Sequence, residues 1–237
     1  MKMAKGSFEF KQFTVHQERC AMKVGTDGTL LGAWASAPAG TCRILDIGTG
    51  TGLIALMMAQ RYPEAEVTGI DIDREAVTQA IENVAASPFS NRIRIIQTDI
   101  VDFSIESFDA IVCNPPYFVD SLTSPNPSRT LARHTGSLTY KALMQSVKRL
   151  LTEEGMFSIV IPVDYRSQLL SEASLANLFL SKECAIKTTP NKAPKRCLME
   201  FRKHPATLPD SLTEILEIST GQRSDWYRNL TKAFYLK

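Results

Sequence analysis

The chain has 237 residues and a formal net charge of +2, and 44% of its residues are hydrophobic, a balance typical of a soluble globular protein. This length is sufficient for one α/β domain with a buried core and an extension. No stretch approaches the roughly 18 apolar residues of a membrane span, and the start MKMAKGSFEF has no apolar signal segment. We therefore expect a cytoplasmic protein that has no membrane partner.

Cysteine spacing and charge distribution indicate which kinds of site and binding partner the protein has. The five cysteines are scattered and include no C-x-x-C pair, which predicts reduced, mostly buried thiols and neither a disulfide framework nor a metal site. Residues 1–119 hold 10 Lys/Arg against 14 Asp/Glu, whereas residues 120–237 hold 17 against 11. A basic half suits a polyanion-binding surface, although lysines that serve only solubility give the same count.

Segments with strand and helix periodicity alternate along the chain. Strands are predicted at residues 43–47, 66–71, 92–99, 108–113 and 155–162, and helices in LIALMMAQRY, DREAVTQAIENVAA and LTYKALMQSVKRLL. After a further helical stretch, LFLSKECAIKT and CLMEFRK predict two closing strands around the basic loop PNKAPKR. The alternation predicts an α/β fold with a doubly wound, mostly parallel sheet whose strands end along one edge. Residues 41–237 are expected to form one domain, preceded by an N-terminal extension, residues 1–40.

The glycine-rich segment LDIGTGTG follows the first predicted strand of the sheet and opens a helix. Gly48, Gly50 and Gly52 permit a sharp turn and let a ligand approach the backbone closely. A dinucleotide site would have G-x-G-x-x-G, but here the third glycine falls one position early. Asp46 beside the turn would repel a phosphate and suits a cationic ligand such as S-adenosylmethionine (AdoMet), which carries an ammonium and a sulfonium. NAD is the competing cofactor.

Two further acids are predicted at strand ends on the same edge. Asp71 ends the second strand, 19 residues after Gly52, where a carboxylate can accept hydrogen bonds from a ribose diol. Its neighbour Ile72 is assigned to the same site. Asp99 ends the third strand and suits the exocyclic amine of the cofactor adenine, with Ile100 against the ring. The alternative interpretation is that the glycines only shape a turn and the acids only cap helices.

The fourth strand runs into Asn-Pro-Pro-Tyr, residues 114–117, which we expect at the mouth of the same cleft. An aromatic amine is a weak nucleophile because its lone pair is delocalised into the ring. If the Asn114 side-chain oxygen and the Pro115 carbonyl each accept a hydrogen bond from the NH2, the lone pair is freed toward the methyl group. Pro115 and Pro116 fix the backbone, and Tyr117 offers a stacking face for an unstacked base, with Phe118 extending it. The alternative is a turn that only terminates the strand.

With LDIGTGTG, GIDID and NPPY in this order, the chain resembles the amino-group methyltransferases of the class I AdoMet-dependent superfamily, which have a Rossmann-like fold. The stretches FKQFTVHQERCAMKVGTDGTLLGAWA, SNRIRIIQTDI, NPPYF, ARHTGSL, PNKAPKR and LTKAFYL are similar to those of bacterial tRNA (adenine-N6) methyltransferases that modify adenine 37 of a valine tRNA. This resemblance covers nearly the whole chain.

The resemblance implies a role for each motif. Gly48, Gly50 and Asp71 would hold the cofactor, Asp99 its adenine end, and residues 114–117 the target amine. In KVGTDG, the residues Gly25, Thr26 and Asp27 would close over the methionine end of the cofactor, so that the N-terminal extension covers it. A simple turn explains Thr-Asp-Gly equally well.

Basic residues after NPPY are candidates for contacts with RNA phosphates. They are Arg129, Arg133 and His134 near the expected pocket, and Lys192, Lys195 and Arg196 on the proline-containing loop. The alternative is a solvated loop. Bases in folded RNA are accessible in loops, so an anticodon-loop adenine suits this pocket better than a paired base.

Three other functions compete with RNA adenine methylation. A protein glutamine amide is also planar, so Asn-Pro-Pro-Tyr would serve its N5-methylation. DNA adenine is disfavoured because no target-recognition domain is recognisable. A noncatalytic RNA-binding module would have no use for the complete set of acids and the Asn-Pro-Pro-Tyr motif.

Overall fold

The computed structural model describes residues 6–20, 22–104, 106–115 and 138–236. Two short strands begin the chain, β1 (Ser7–Glu9) and β2 (Thr14–His16). The strands of the main sheet are β3 (Arg43–Ile47), β4 (Glu66–Asp71), β5 (Ile93–Gln97), β6 (Phe108–Cys113), β7 (Leu151–Pro162), β8 (Phe179–Lys187), β9 (Arg196–Arg202) and β10 (Asp210–Ile215). A small hairpin follows, formed by β11 (Glu217–Ser219) and β12 (Gln222–Arg223).

The helices are α1 (Thr26–Trp34), α2 (Leu53–Arg61), α3 (Arg74–Ala85), α4 (Tyr140–Leu150), α5 (Arg166–Leu175) and α6 (Asp225–Thr231), with a 3-10 turn at Val163–Tyr165. Within the described part of the chain, no helix is long and apolar enough to cross a membrane.

The main sheet has the strand order β10-β8-β9-β7-β6-β3-β4-β5. Strand β9 runs antiparallel to β7 and β8, and the other neighbouring pairs are parallel. The predicted doubly wound, mostly parallel sheet is therefore confirmed. Since β9 runs against the others, its first residue lies at the edge where the parallel strands end.

Both faces of the sheet are buried, as alternate residues of its central strands show. Ile44 of β3 and Val112 of β6 belong to a cluster with residues of α1, α2 and α6, whereas Leu45 and Ile111 pack with residues of α4 and α5. Successive strand residues point to opposite faces, so helices on both sides are needed to cover them. All five cysteines are buried, in agreement with the prediction of mostly buried thiols, and each is a free cysteine in this structure.

The N-terminal and C-terminal segments pack together on the α1–α2 face. Phe10 stacks on Phe13 and on Tyr235, and the Lys11 amide donates to the Phe234 carbonyl. Phe10 and Phe13 are buried in the same cluster as α1 and α2. The boundary at residue 40 stays a prediction.

Two strands have other boundaries than predicted, and one strand was not predicted. Strand β5 is Ile93–Gln97 rather than 92–99, so Asp99 follows the strand instead of ending it. The fifth predicted strand, β7, begins at Leu151 rather than 155, because the chain leaves α4 directly into pairing with Phe108 at the end of β6 opposite the site. Strand β10 was not predicted: its residues are mostly exposed and polar, so the segment lacks apolar alternation. It is an edge strand, and its pairing with β8 is what defines it.

Candidate functional site

A cavity of about 550 Å³ lies at the edge of the sheet where the parallel strands end. This volume is in the range of cofactor and small-molecule sites. The segments that follow β3, β4, β5 and β6 line the cavity, together with residues 22–28, which include the start of α1. The parallel arrangement of the strands therefore brings the segments of four sequence motifs together.

The glycine turn after β3 forms part of the cavity wall. Gly48 and Gly50 line it with φ angles of 68° and 54°, values that favour glycine. A Cβ atom added to Gly48 would meet nothing within 4 Å, so open space lies over the turn. Gly52 has a different place: it is the N-cap of α2, and an added Cβ would lie 3.5 Å from Ala80 of α3. The third glycine thus serves helix packing.

Asp71 lines the cavity at the end of β4, and the backbone fixes its carboxylate. Its Oδ2 accepts a hydrogen bond from the Gly50 amide at 2.9 Å, and its Oδ1 accepts one from the Asp73 amide at 3.0 Å. A carboxylate has about four acceptor positions, so two remain for a ligand diol. These contacts also tie the end of β4 to the glycine turn.

Asp46 is not among the residues that line the cavity. Its side chain is fully buried, and its Oδ2 accepts from Thr49 Oγ1 at 2.7 Å and from the Ala55 amide at 3.1 Å. Its Oδ1 has no hydrogen-bond partner among the described residues. Burial raises the pKa of this carboxyl to about 7, and the two hydrogen bonds oppose the shift. Asp46 thus lies beneath the glycine turn.

The segment after β5 supplies Asp99 and Ile100 to the cavity lining, and Ile72 after β4 also lines it. The Asp99 Oδ1 accepts from the Val101 amide at 2.9 Å, which closes a local turn. Arg149 at the end of α4 holds this segment: its guanidinium donates to the carbonyl oxygens of Phe103, Ile100 and Val101 at 2.5, 3.1 and 3.1 Å. One side chain therefore fixes the shape of the loop.

Asn114 and Pro115 line the cavity directly after β6. The Asn114 side-chain amide donates to the Met22 sulfur at 3.8 Å, and a Cβ added to Gly28 of α1 would lie 3.7 Å from its Nδ2. The start of α1 thus packs on the Asn114 side chain. The other predicted substrate residues lie outside the described residues: Pro116, Tyr117, Phe118, Arg129, Arg133 and His134.

The structure separates the three predicted cations of the basic loop. Lys192 and Lys195 are exposed on the loop between β8 and β9. Arg196 begins β9 and lines the cavity, where its Nε lies 2.8 Å from Oδ1 of Asp27. Asp27, with Gly25 and Thr26, also lines the cavity. Arg196 therefore belongs to the cavity and not to the exposed surface.

Two residues that position the site were not predicted. Asn83 of α3 is fully buried; its side chain accepts from the His16 amide at 2.9 Å and donates to the carbonyls of His16 and Thr51, both at 2.8 Å. It joins β2 to the glycine turn. An asparagine on the apolar face of a helix was a sequence indication of this role. For Arg149 the sequence indication was weaker, since a cation in the last turn of a helix is common.

The comparisons with known proteins agree with this arrangement. A family model described as the methyltransferase small domain matches residues 28–189. The tRNA1(Val) (adenine(37)-N6)-methyltransferase of Bacteroides thetaiotaomicron is 48% identical over 237 residues, which cover 99% of each chain. The protein of the same name from Tolumonas auensis is 43% identical and covers 98% of this chain and 97% of its own.

Solved structures show the same fold at low sequence identity. TrmN from Thermus thermophilus superposes with a TM-score of 0.54 at 23% identity, covering 75% of this chain and 48% of that one. A TehB-like SAM-dependent methyltransferase from Corynebacterium glutamicum has a TM-score of 0.52 at 19% identity, covering 76% and 89%. On the sequence relatives and the family model, the chain belongs to the methyltransferase small domain family and to the family of the tRNA1(Val) (adenine(37)-N6)-methyltransferases.

Proposed function

We propose that this protein transfers the methyl group of AdoMet to the exocyclic N6 amine of adenine 37 in a valine tRNA. The names of relatives that match nearly the full length of the chain support this substrate. The observation that carries the chemistry is that Asn114 and Pro115 line the same cavity as Gly48 and Asp71. Groups suited to a target amine and to a cofactor thus meet in one cavity.

The residues present fit AdoMet. The open space over Gly48 allows a ligand to lie against the turn, and Asp71 has acceptor capacity for a ribose diol. Asp99 and Ile100 flank the part of the cavity proposed for adenine. The buried Asp46, whose pKa is raised by burial to about 7, carries a negative charge beneath the turn when it is ionised, and that charge suits a cationic cofactor. We assign Asp46 to this electrostatic role rather than to contact.

The chemistry needs orientation more than an acid or a base. When bound, AdoMet would supply an activated methyl group: the N6 amine would attack the methyl carbon, the sulfonium–methyl bond would break with S-adenosylhomocysteine as the leaving group, and the methylated amine would lose one proton to solvent. Asn114 Oδ1 and the Pro115 carbonyl accept the two N6 hydrogens and direct the nitrogen lone pair toward the methyl group. Because proline fixes its own φ and has no N–H, the position of the second acceptor is restricted. Held in line, the reacting atoms need no further translational or rotational ordering.

The RNA contacts extend this proposal beyond the cavity. Tyr117 and Phe118 would stack on an adenine taken out of the anticodon loop. The exposed Lys192 and Lys195, together with Arg129, Arg133 and His134, would contact phosphates. We also propose that residues 1–40 cover the cofactor and that the protein works in the cytoplasm, where its tRNA substrate is. No metal is required by this displacement.

The test uses labelled AdoMet with either tRNA that lacks the modification or a protein extract, followed by mass-spectrometric mapping of the modified nucleotide. We expect label in tRNA, at adenine 37 of valine tRNA. Label in protein alone would replace the proposal with glutamine methylation. Binding of tRNA without any transfer would favour the noncatalytic alternative.

Asn114→Ala tests the proposed hydrogen bond between the Asn114 side chain and the target amine. Turnover should fall roughly 100- to 1,000-fold, the range for loss of one preorganised polar contact to a reacting group, while AdoMet affinity changes little. Asn91→Ala is a matched control, because Asn91 is exposed before β5 at the opposite edge of the sheet. Full activity of the Asn114 variant would remove the proposed role of the amide.

A further inference from the structure

The position of Arg196 in the fold differs from what its neighbours in the sequence indicate. It follows the basic loop PNKAPKR, yet it is the first residue of β9 and pairs with Pro162, the last residue of β7. The Lys195 amide donates to the Ile186 carbonyl, and the Lys195 carbonyl accepts from the Val163 amide. These bonds anchor the end of the loop, so that the Arg196 side chain joins the cavity lining.

Arg196 meets Asp27 there. The Nε–Oδ1 distance is 2.8 Å, and the two side chains are only 23% and 15% exposed. Arginine has five N–H donors in a planar fork, so an ion pair through Nε leaves donors that can bind a second carboxylate. The partial burial of the pair distinguishes it from the exposed Lys192 and Lys195, whose ammonium groups are suited to RNA phosphates.

The position of the pair along the sheet edge indicates which end of the cofactor it faces. Asp99 follows β5 and Asp71 ends β4, on one side of the glycine turn. Arg196 begins β9, on the other side of β3 and β6. An extended ligand with its adenine near Asp99 and its ribose at Asp71 therefore directs its remaining end toward Asp27 and Arg196.

That remaining end of AdoMet is an α-amino acid, which carries one carboxylate and one ammonium. The family resemblance implies that Gly25, Thr26 and Asp27 lie over this end. We propose one further residue: Arg196 binds the carboxylate, and Asp27, its ion-pair partner, faces the ammonium. The start of α1 assists, because its N-cap Gly25 supplies no side-chain cap and the positive end of the helix adjoins the cavity. The inference rests on AdoMet as the cofactor of the proposed function, and it removes Arg196 from the RNA-binding surface.

The experiment compares two ligands that differ at this end only. S-adenosylhomocysteine and 5′-methylthioadenosine are both neutral at sulfur, but only the first carries the amino and carboxylate groups. In calorimetry on the full chain without RNA, Arg196→Met should lower the affinity for S-adenosylhomocysteine roughly 10- to 100-fold, the range for a charge-assisted hydrogen bond. The affinity for methylthioadenosine should change less than about 2-fold. Lys195→Met, the exposed neighbour, should leave both affinities unchanged.

Asp27→Asn should likewise lower the affinity for S-adenosylhomocysteine and not that for methylthioadenosine. Arg196→Lys should lower the affinity for S-adenosylhomocysteine by an intermediate factor, since lysine keeps the charge but lacks the planar guanidinium fork. These variants keep the test decisive if Arg196→Met folds poorly. Equal weakening of both ligands would overturn the inference in favour of a structural ion pair. Unchanged S-adenosylhomocysteine affinity with weaker, less salt-dependent tRNA binding would overturn it in favour of a phosphate contact.

Other experimental results would reject the proposed function. Failure of the unaltered protein to bind AdoMet or S-adenosylhomocysteine would reject the proposed cofactor. Methylation of protein instead of tRNA would reject the substrate and leave the amino-acid subsite standing, because the calorimetry contains no nucleic acid.

Discussion

Replacing Asp46 by asparagine tests the electrostatics beneath the glycine turn. Both hydrogen bonds to Asp46, from Thr49 and from Ala55, end on the same oxygen. Asparagine keeps one oxygen for these two donors and has nearly the same shape, but it has no charge. Since burial raises the pKa of this carboxyl from 3.8 to about 7, the substitution removes an ion that the folded protein holds at a cost.

The magnitude follows from the two pKa values. Because the folded-state pKa is the higher one, stability from this group is fully present below about pH 4 and is lost as the pH rises toward 7. A shift of about 3 units corresponds to about 4 kcal/mol of stability lost by pH 8, but only about 2 kcal/mol by pH 5. The free energy of unfolding of Asp46→Asn, relative to that of the unaltered protein, should therefore be roughly 2–3 kcal/mol higher at pH 8 than at pH 5.

Urea unfolding of both proteins at pH 5 and pH 8 measures this difference, in which other titrating groups cancel. Asp102→Asn, at an exposed aspartate, is the control for the exchange of a carboxylate for an amide. A stability difference that is the same at both pH values would refute the reasoning. A variant that loses stability relative to the unaltered protein between pH 5 and pH 8 would show that the ionised carboxylate is well compensated.

Three further substitutions test individual contacts. Asn83→Ala removes three hydrogen bonds and should lower the free energy of unfolding by about 3 kcal/mol in urea; a loss near zero would mean that β2 and the glycine turn hold together without it. Arg149→Met frees three loop carbonyls, so AdoMet affinity should fall roughly 10-fold in calorimetry, and an unchanged value would show that the adenine loop is rigid by itself. Asp71→Asn replaces one acceptor oxygen by a donor facing a backbone N–H and should weaken AdoMet at least roughly 10-fold, whereas retained affinity would argue against the ribose assignment.

The sequence does not predict the direction in which individual side chains point. Asp46 and Asp71 are both acids at strand ends, yet Asp71 lines the cavity and Asp46 is buried under the turn. The difference depends on α2, whose Ala55 amide and preceding Thr49 hydroxyl bind Asp46. Similarly, Arg196 was grouped with Lys192 and Lys195 because they are close in sequence, and the antiparallel course of β9 separates them.

What the sequence determined by itself is the alternation of strands and helices, hence the parallel sheet, and the placing of Gly48, Asp71, Asp99 and Asn114 at one edge of it. These follow from local periodicity and from the rule that parallel strands end on the same side. The tertiary structure alone decided the contacts between distant segments: Asn83 with His16, Arg149 with Ile100, and Arg196 with Asp27. Such contacts depend on how helices pack across the sheet, and no periodicity along the chain encodes that geometry.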